Sequence, residues 1–203
     1  MKDRIIIFRG SFNPTTIAHI SIATEALYYL DAEKVLFIPS SDLYKKDDVE
    51  VSYHRVNMLN LAIGNFRRLE IDFTEVDAIK EVHDYETIQK IKSEYSDKEI
   101  YLLIGANDLE EFNNLENAKN ILENCNILVV NRNNSSIDDI IESNELLKEF
   151  KDKIIEAPIE ENNINTIEIR KMIASGELDG LEGMVDKEVI EYIIENNLYI
   201  NGE

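Results

Sequence analysis

Tryptophan is absent from this chain of 203 residues, cysteine occurs once, and proline and histidine occur three times each. The single Cys125 excludes an internal disulfide. No apolar run approaches the roughly 18 residues of a membrane-spanning helix. The opening Arg4-Ile5-Ile6-Ile7-Phe8 is too short for a signal peptide and lacks a small-residue cleavage site, so a cytoplasmic location is expected. Cations are scarce, with 21 Lys and Arg against 41 Asp and Glu and a formal charge of −20. That deficit excludes a general nucleic-acid surface and argues against anionic membranes. It leaves room for a small anion held locally by a loop and a helix N-terminus. No Pro-, Gly- or Ser-rich linker divides the chain. One domain over 1–203 is predicted, an α/β core at 1–158 followed by a helical segment at 159–203.

What is present is alternation. Apolar runs at Arg4–Phe8, Lys34–Pro39, Leu69–Phe73, Glu99–Ile104, Asn126–Val130 and Lys153–Glu156 read as strands. Amphipathic stretches lie between them: His19–Leu30, Ser52–Ile63 with Ser52 as its cap, Tyr85–Tyr95, Leu109–Leu122 and Ile137–Phe150. Strands alternating with helices predict a doubly wound parallel sheet. Beyond Pro158, Ile167–Ala174, Leu178–Met184 and Val189–Ile194 read as short helices, the last capped by Asp186. These helices are expected to pack on the same sheet.

The chemistry concentrates in Phe8-Arg9-Gly10-Ser11-Phe12-Asn13-Pro14-Thr15-Thr16-Ile17-Ala18-His19, between the first strand and the first helix. Anionic ligands dock at such a turn in α/β folds. Gly10 lets the backbone approach a ligand, Pro14 stiffens the loop, and Thr16 and His19 are spaced to share one helical face. A hydroxyl and an imidazole there can hold a phosphate oxygen. The plainer reading is a strand-to-helix turn with a capping Thr, and spacing alone leaves both open.

The whole string resembles the nucleotidyltransferase signature G-x-F-x-P-x-[HT]-x-G-H, matched at Gly10, Phe12, Pro14, Thr16 and His19, with Ala18 in place of Gly. A second signature, I-S-S-T-x-I-R, is matched in part by Ile164-Asn165-Thr166-Ile167-Glu168-Ile169-Arg170. Further stretches resemble bacterial nicotinate mononucleotide adenylyltransferases: Ser52–Leu59, Tyr85-Glu86-Thr87, Ile104-Gly105-Ala106-Asn107 and the closing Ile193–Tyr199. The resemblance implies transfer of AMP from ATP to nicotinate mononucleotide on a Rossmann-like fold, with Mg2+ accompanying ATP. It implies His19 and Thr16 as catalytic residues. It implies ATP contacts from Gly10, Ser11, Phe12, Lys45, Lys46, Gly105, Asn107, Thr166, Ile169 and Arg170. The implied partners are ATP and a mononucleotide, with self-association left open.

The departures fall where the resemblance would place the pyridine ring. Asp84 stands where Thr is usual, Leu115 where a stacking Trp is common, Asn107 replaces an Asp, and Arg9 replaces a Gly. Asp84 and Leu115 are thus the acceptor-side candidates, and Asp84 should repel a carboxylate unless a cation intervenes. Two other functions stay open: transfer to a different phosphate acceptor, and nucleotide sensing without catalysis. Elsewhere, His54 and Arg55 read as structural, and Cys125 as a small core residue. His83-Asp84 resembles the HD pair of metal phosphohydrolases, but three dispersed histidines are too few for that chemistry.

Overall fold

The computed structural model describes residues 3–44, 48–131, 136–159 and 164–200. Six strands pair in parallel into one sheet: β1 (Arg4–Gly10), β2 (Lys34–Pro39), β3 (Leu69–Ile71), β4 (Glu99–Gly105), β5 (Asn126–Val130) and β6 (Ile154–Ala157). The order is β3-β2-β1-β4-β5-β6, so the winding reverses between β1 and β4. Such a reversal opens a crevice at the carboxyl ends of those two strands.

The strands are nearly continuous Ile, Leu and Val because both faces are covered. Ile5, Ile7, Leu102 and Ile127 face one core, completed by α3 (Asp84–Glu94), α4 (Ala106–Glu110), α5 (Ala118–Asn124), α6 (Ile137–Glu142) and α7 (Glu145–Glu149). Ile6, Phe37, Leu103 and Leu128 face the other, covered by α1 (Ile17–Tyr29) and α2 (Ser52–Ile63).

Two predicted helices are broken. Leu109–Leu122 is interrupted by a 3-10 turn at Phe112–Asn114 and by Asn117, whose φ of 54° takes the chain left-handed before α5. Ile137–Phe150 stops at Ser143, and the side chain of Asn144 accepts from the Leu147 amide to start α7. Short polar side chains that bond the backbone compete with helix continuation. Ser52 is not the cap of α2. The cap residue is Val51, and the Asp42 carboxylate reaches over to accept from the Ser52 amide at 2.6 Å and its hydroxyl at 2.7 Å.

The C-terminal helices α8 (Thr166–Ser175) and α9 (Lys187–Glu195) form as expected, with Gly176 at φ 81° ending the first and Asp186 capping the second. Their packing differs from expectation. Ile169, Ile173, Leu181, Val189, Ile193 and Leu198 gather around Met58 of α2, so the segment seats on a helix rather than on the sheet. Among the described residues, no helix is long and apolar enough to cross a membrane.

Candidate active site

Strand β1 delivers its last residues to the crevice, and four rings fix the turn that follows. Phe8, Phe12 and Phe37 pack within 5.4–5.5 Å of one another, and the His19 imidazole stands edge-on to Phe12 at 5.3 Å. Phe12 adopts φ 49°, a conformation that costs a non-glycine residue free energy and that this cluster holds in place. Gly10 serves the same cluster: a Cβ there would lie 3.2 Å from the Phe12 ring. The glycine therefore makes room for Phe12.

Thr16 caps α1, and its contacts define the chemistry of His19. The Thr16 amide donates to His19 Nδ1 at 3.0 Å, the Thr16 hydroxyl lies 2.8 Å from the same nitrogen, and the His19 amide points at Thr16 Oγ1 at 3.4 Å. With Nδ1 accepting, the neutral ring carries its proton on Nε2. Thr16 is only 1% exposed, so its hydroxyl orients the imidazole rather than reaching a phosphate itself.

Two side chains tie the surrounding loops together. Arg55, 1% exposed, donates to the carbonyls of Glu50, Ser11 and Ser40 at 2.7, 2.7 and 2.5 Å and pairs with Asp42 at 3.1 Å. Asn13 is buried at the meeting of four segments. Its Nδ2 donates to Asp48 O, its Oδ1 accepts from the Glu50 amide and the Tyr199 hydroxyl, and its carbonyl accepts from Arg170 Nη1 at 2.9 Å. Asn13 occupies an unspecified place in the signature, so only the folded chain discloses its part. His54 is structural, as read, with Nδ1 2.9 Å from the Tyr192 hydroxyl.

The crevice itself is a cleft of about 570 Å³. It is within the size range of small-molecule sites. Gly10, Ser11, Phe12, His19, Gly105 and Asn107 line it, as do the acceptor-side candidates Asp84 and Leu115. Asp84 does meet a cation. Arg9 Nη1 lies 2.8 Å from Asp84 Oδ2, while its Nε and Nη2 donate to Glu75 at 2.5 and 3.0 Å.

Other described candidates fall outside this lining. Ile169 is wholly buried in the C-terminal core, which corrects its assignment as an ATP contact. Thr166 begins α8, and Arg170, half-buried, reaches the turn through Asn13 rather than lining the cleft. Lys45 and Lys46 lie outside the described residues. His83 precedes α3, stacks on Tyr85 and pairs with Glu116 at 3.1 Å. Cys125 is a buried core thiol that burial pushes up to about 12. Among the described residues, no three His, Cys, Asp or Glu side chains are grouped to hold a metal ion.

A parallel sheet wound 3-2-1-4-5-6, with a signature turn at its crossover, defines an α/β nucleotidyltransferase. The cytidylyltransferase-like family model matches residues 7–172. A protein of Borrelia hermsii named "Probable nicotinate-nucleotide adenylyltransferase" is 32% identical, over 98% of this chain and all of that one. The chain belongs to the cytidylyltransferase-like family and, within it, to the nicotinate-nucleotide adenylyltransferases. The same fold occurs in Plasmodium falciparum nicotinic acid mononucleotide adenylyltransferase. Its complex with NaAD superposes with a TM-score of 0.78 at 21% identity over the whole of both chains. Its complex with APC gives 0.77 at 20% identity, over 99% of this chain and all of that one.

Proposed function

We propose that this chain transfers AMP from ATP to nicotinate mononucleotide, releasing pyrophosphate and forming deamido-NAD. The observation that carries the reading is the Thr16 amide on His19 Nδ1, which fixes an Nε2–H donor on a residue that lines the crevice. A phosphate oxygen of the mononucleotide attacks the α-phosphorus of ATP in line, and pyrophosphate leaves with the bond it held. No covalent enzyme intermediate is needed, so the protein works by position and charge. His19 Nε2–H donates to the α-phosphate oxygen on which negative charge grows, a contact strengthened in the transition state. Thr16 positions that imidazole. Gly105 and Asn107 line the nucleoside region. Arg170 neutralises the outgoing phosphates after exchanging its bond to Asn13 O, with Lys45 or Lys46 closing on the same oxygens. Mg2+ enters on the triphosphate as part of the substrate.

The test is pyrophosphate release with ATP and a panel of acceptors, with products identified by mass. Deamido-NAD from nicotinate mononucleotide is the expected result. Release only with another phosphate acceptor refutes the assigned substrate, and nucleotide binding without release from any acceptor refutes catalysis.

A further inference from the structure

The cleft holds one ion cluster that the chemistry of phosphate transfer does not use. Arg9 follows Ile5 and Ile7 along one face of β1 and so reaches the cleft at the strand end. Its guanidinium has two carboxylate partners of unlike character. Glu75 is wholly buried, takes both Nε and Nη2, and accepts a further bond at 3.0 Å from the buried Thr87 hydroxyl. Removing Arg9 from it would strand a buried charge, so this pair is permanent. Asp84 holds only Nη1, its side chain is 30% exposed, and it lines the cleft. Water can hydrate it if it turns away. The Arg9 side chain is 21% exposed and also lines the cleft. It carries five N–H donors, of which these contacts need three.

We infer, on the function proposed above, that Arg9 receives the ring carboxylate of the acceptor and that Asp84 holds its place until the acceptor arrives. Nicotinate takes up Arg9 Nη1 as Asp84 turns to solvent, exchanging one carboxylate for another on a cation locked by Glu75. A carboxamide cannot make that exchange, because it brings no charge to replace Asp84. It keeps the Arg9–Asp84 pair and donates its NH2 to Asp84 instead. Both acceptors are therefore admitted. The chain discriminates for the acid only by the difference between two carboxylates on one guanidinium. Arg9 stays cationic throughout, since its bonds and charges with Glu75 outweigh burial and raise its pKa.

The experiment compares kcat/KM for nicotinate and nicotinamide mononucleotides, taken as a ratio, in the wild type and two variants. Asp84→Asn removes the competing charge and keeps the side-chain shape, so the ratio should rise about tenfold, the scale of one charged hydrogen bond. The double change Arg9→Gln with Glu75→Gln removes cation and buried anion together, which avoids a stranded charge, and should bring the ratio below one, because the remaining Asp84 repels the acid and still accepts from the amide. A ratio that does not rise in folded Asp84→Asn, or one that does not fall below the wild type in the folded double variant, with turnover retained, overturns the inference and leaves the function standing. A wild type that turns over neither acceptor overturns the function, and the inference with it.

Discussion

The two ends of the cleft are built by opposite means. At the phosphate end, polar groups are spent on one another. Arg55 gives its donors to three backbone carbonyls and Asp42, Asn13 joins four segments, and Thr16 and His19 cap the same helix. Such a network fixes geometry before substrate arrives, as stabilisation of developing charge requires. At the acceptor end, a charged side chain keeps one partner that can be replaced. On the function proposed here, the first end serves rate and the second serves choice.

The sharpest way to break this comparison is His19→Ala. Turnover should fall roughly 10²–10⁴-fold, the range for lost transition-state hydrogen bonding. The melting temperature should stay within a few degrees, because the Thr16 cap survives. Wild-type turnover in a folded variant would place the chemistry elsewhere. Arg55→Met attacks the scaffold instead. It leaves the carbonyls of Ser11, Ser40 and Glu50 unpaired and should cost about 3–5 kcal/mol in urea unfolding. A loss below about 1 kcal/mol would mean that water replaces the guanidinium without penalty.

Arg170→Ala should weaken ATP by about 1.5–3 kcal/mol, read as KM, and the acceptor much less. Equal weakening of both substrates contradicts a phosphate role. The smallest effect is expected from Tyr199→Phe, which removes one bond to Asn13 and should cost about 0.5–1.5 kcal/mol. Its signature is in alkali. Burial, and then the charge of Glu50, raise the Tyr199 pKa above the ordinary tyrosine value of about 10. Above that value the unfolded chain has lost a proton that the native chain keeps, so stability falls as pH rises. The Phe variant should show a shallower alkaline decline. Identical slopes would show that this phenol is not held as described.

Sequence reading found the sheet because six apolar runs have the right period and length. β2 and β5 fall on the predicted residues, since each is buried on both faces beyond its first residue. It misplaced what depends on distant partners. Nothing near Ser52 tells that Asp42 will cap α2, and nothing in α8 and α9 tells that Met58 will be their floor. At the site, Gly10, Phe12, Thr16 and His19 were legible from a contiguous motif. Asn13 was invisible because its partners are Asp48, Glu50, Arg170 and Tyr199, as much as 186 positions away. The Arg9–Asp84 pair was half legible: the charge at Asp84 demanded a cation, but only the fold supplied Arg9 across the crevice.

The separation of rate from choice is tested most directly by the acceptor ratio of the His19→Ala variant. The ratio of kcat/KM for nicotinate and nicotinamide mononucleotides should stay within about twofold of the wild type while turnover itself collapses, because the contact proposed for His19 is to the α-phosphate common to both reactions. A ratio that moves tenfold or more together with the loss of turnover would contradict it, and would mean that the two ends of the cleft act as one.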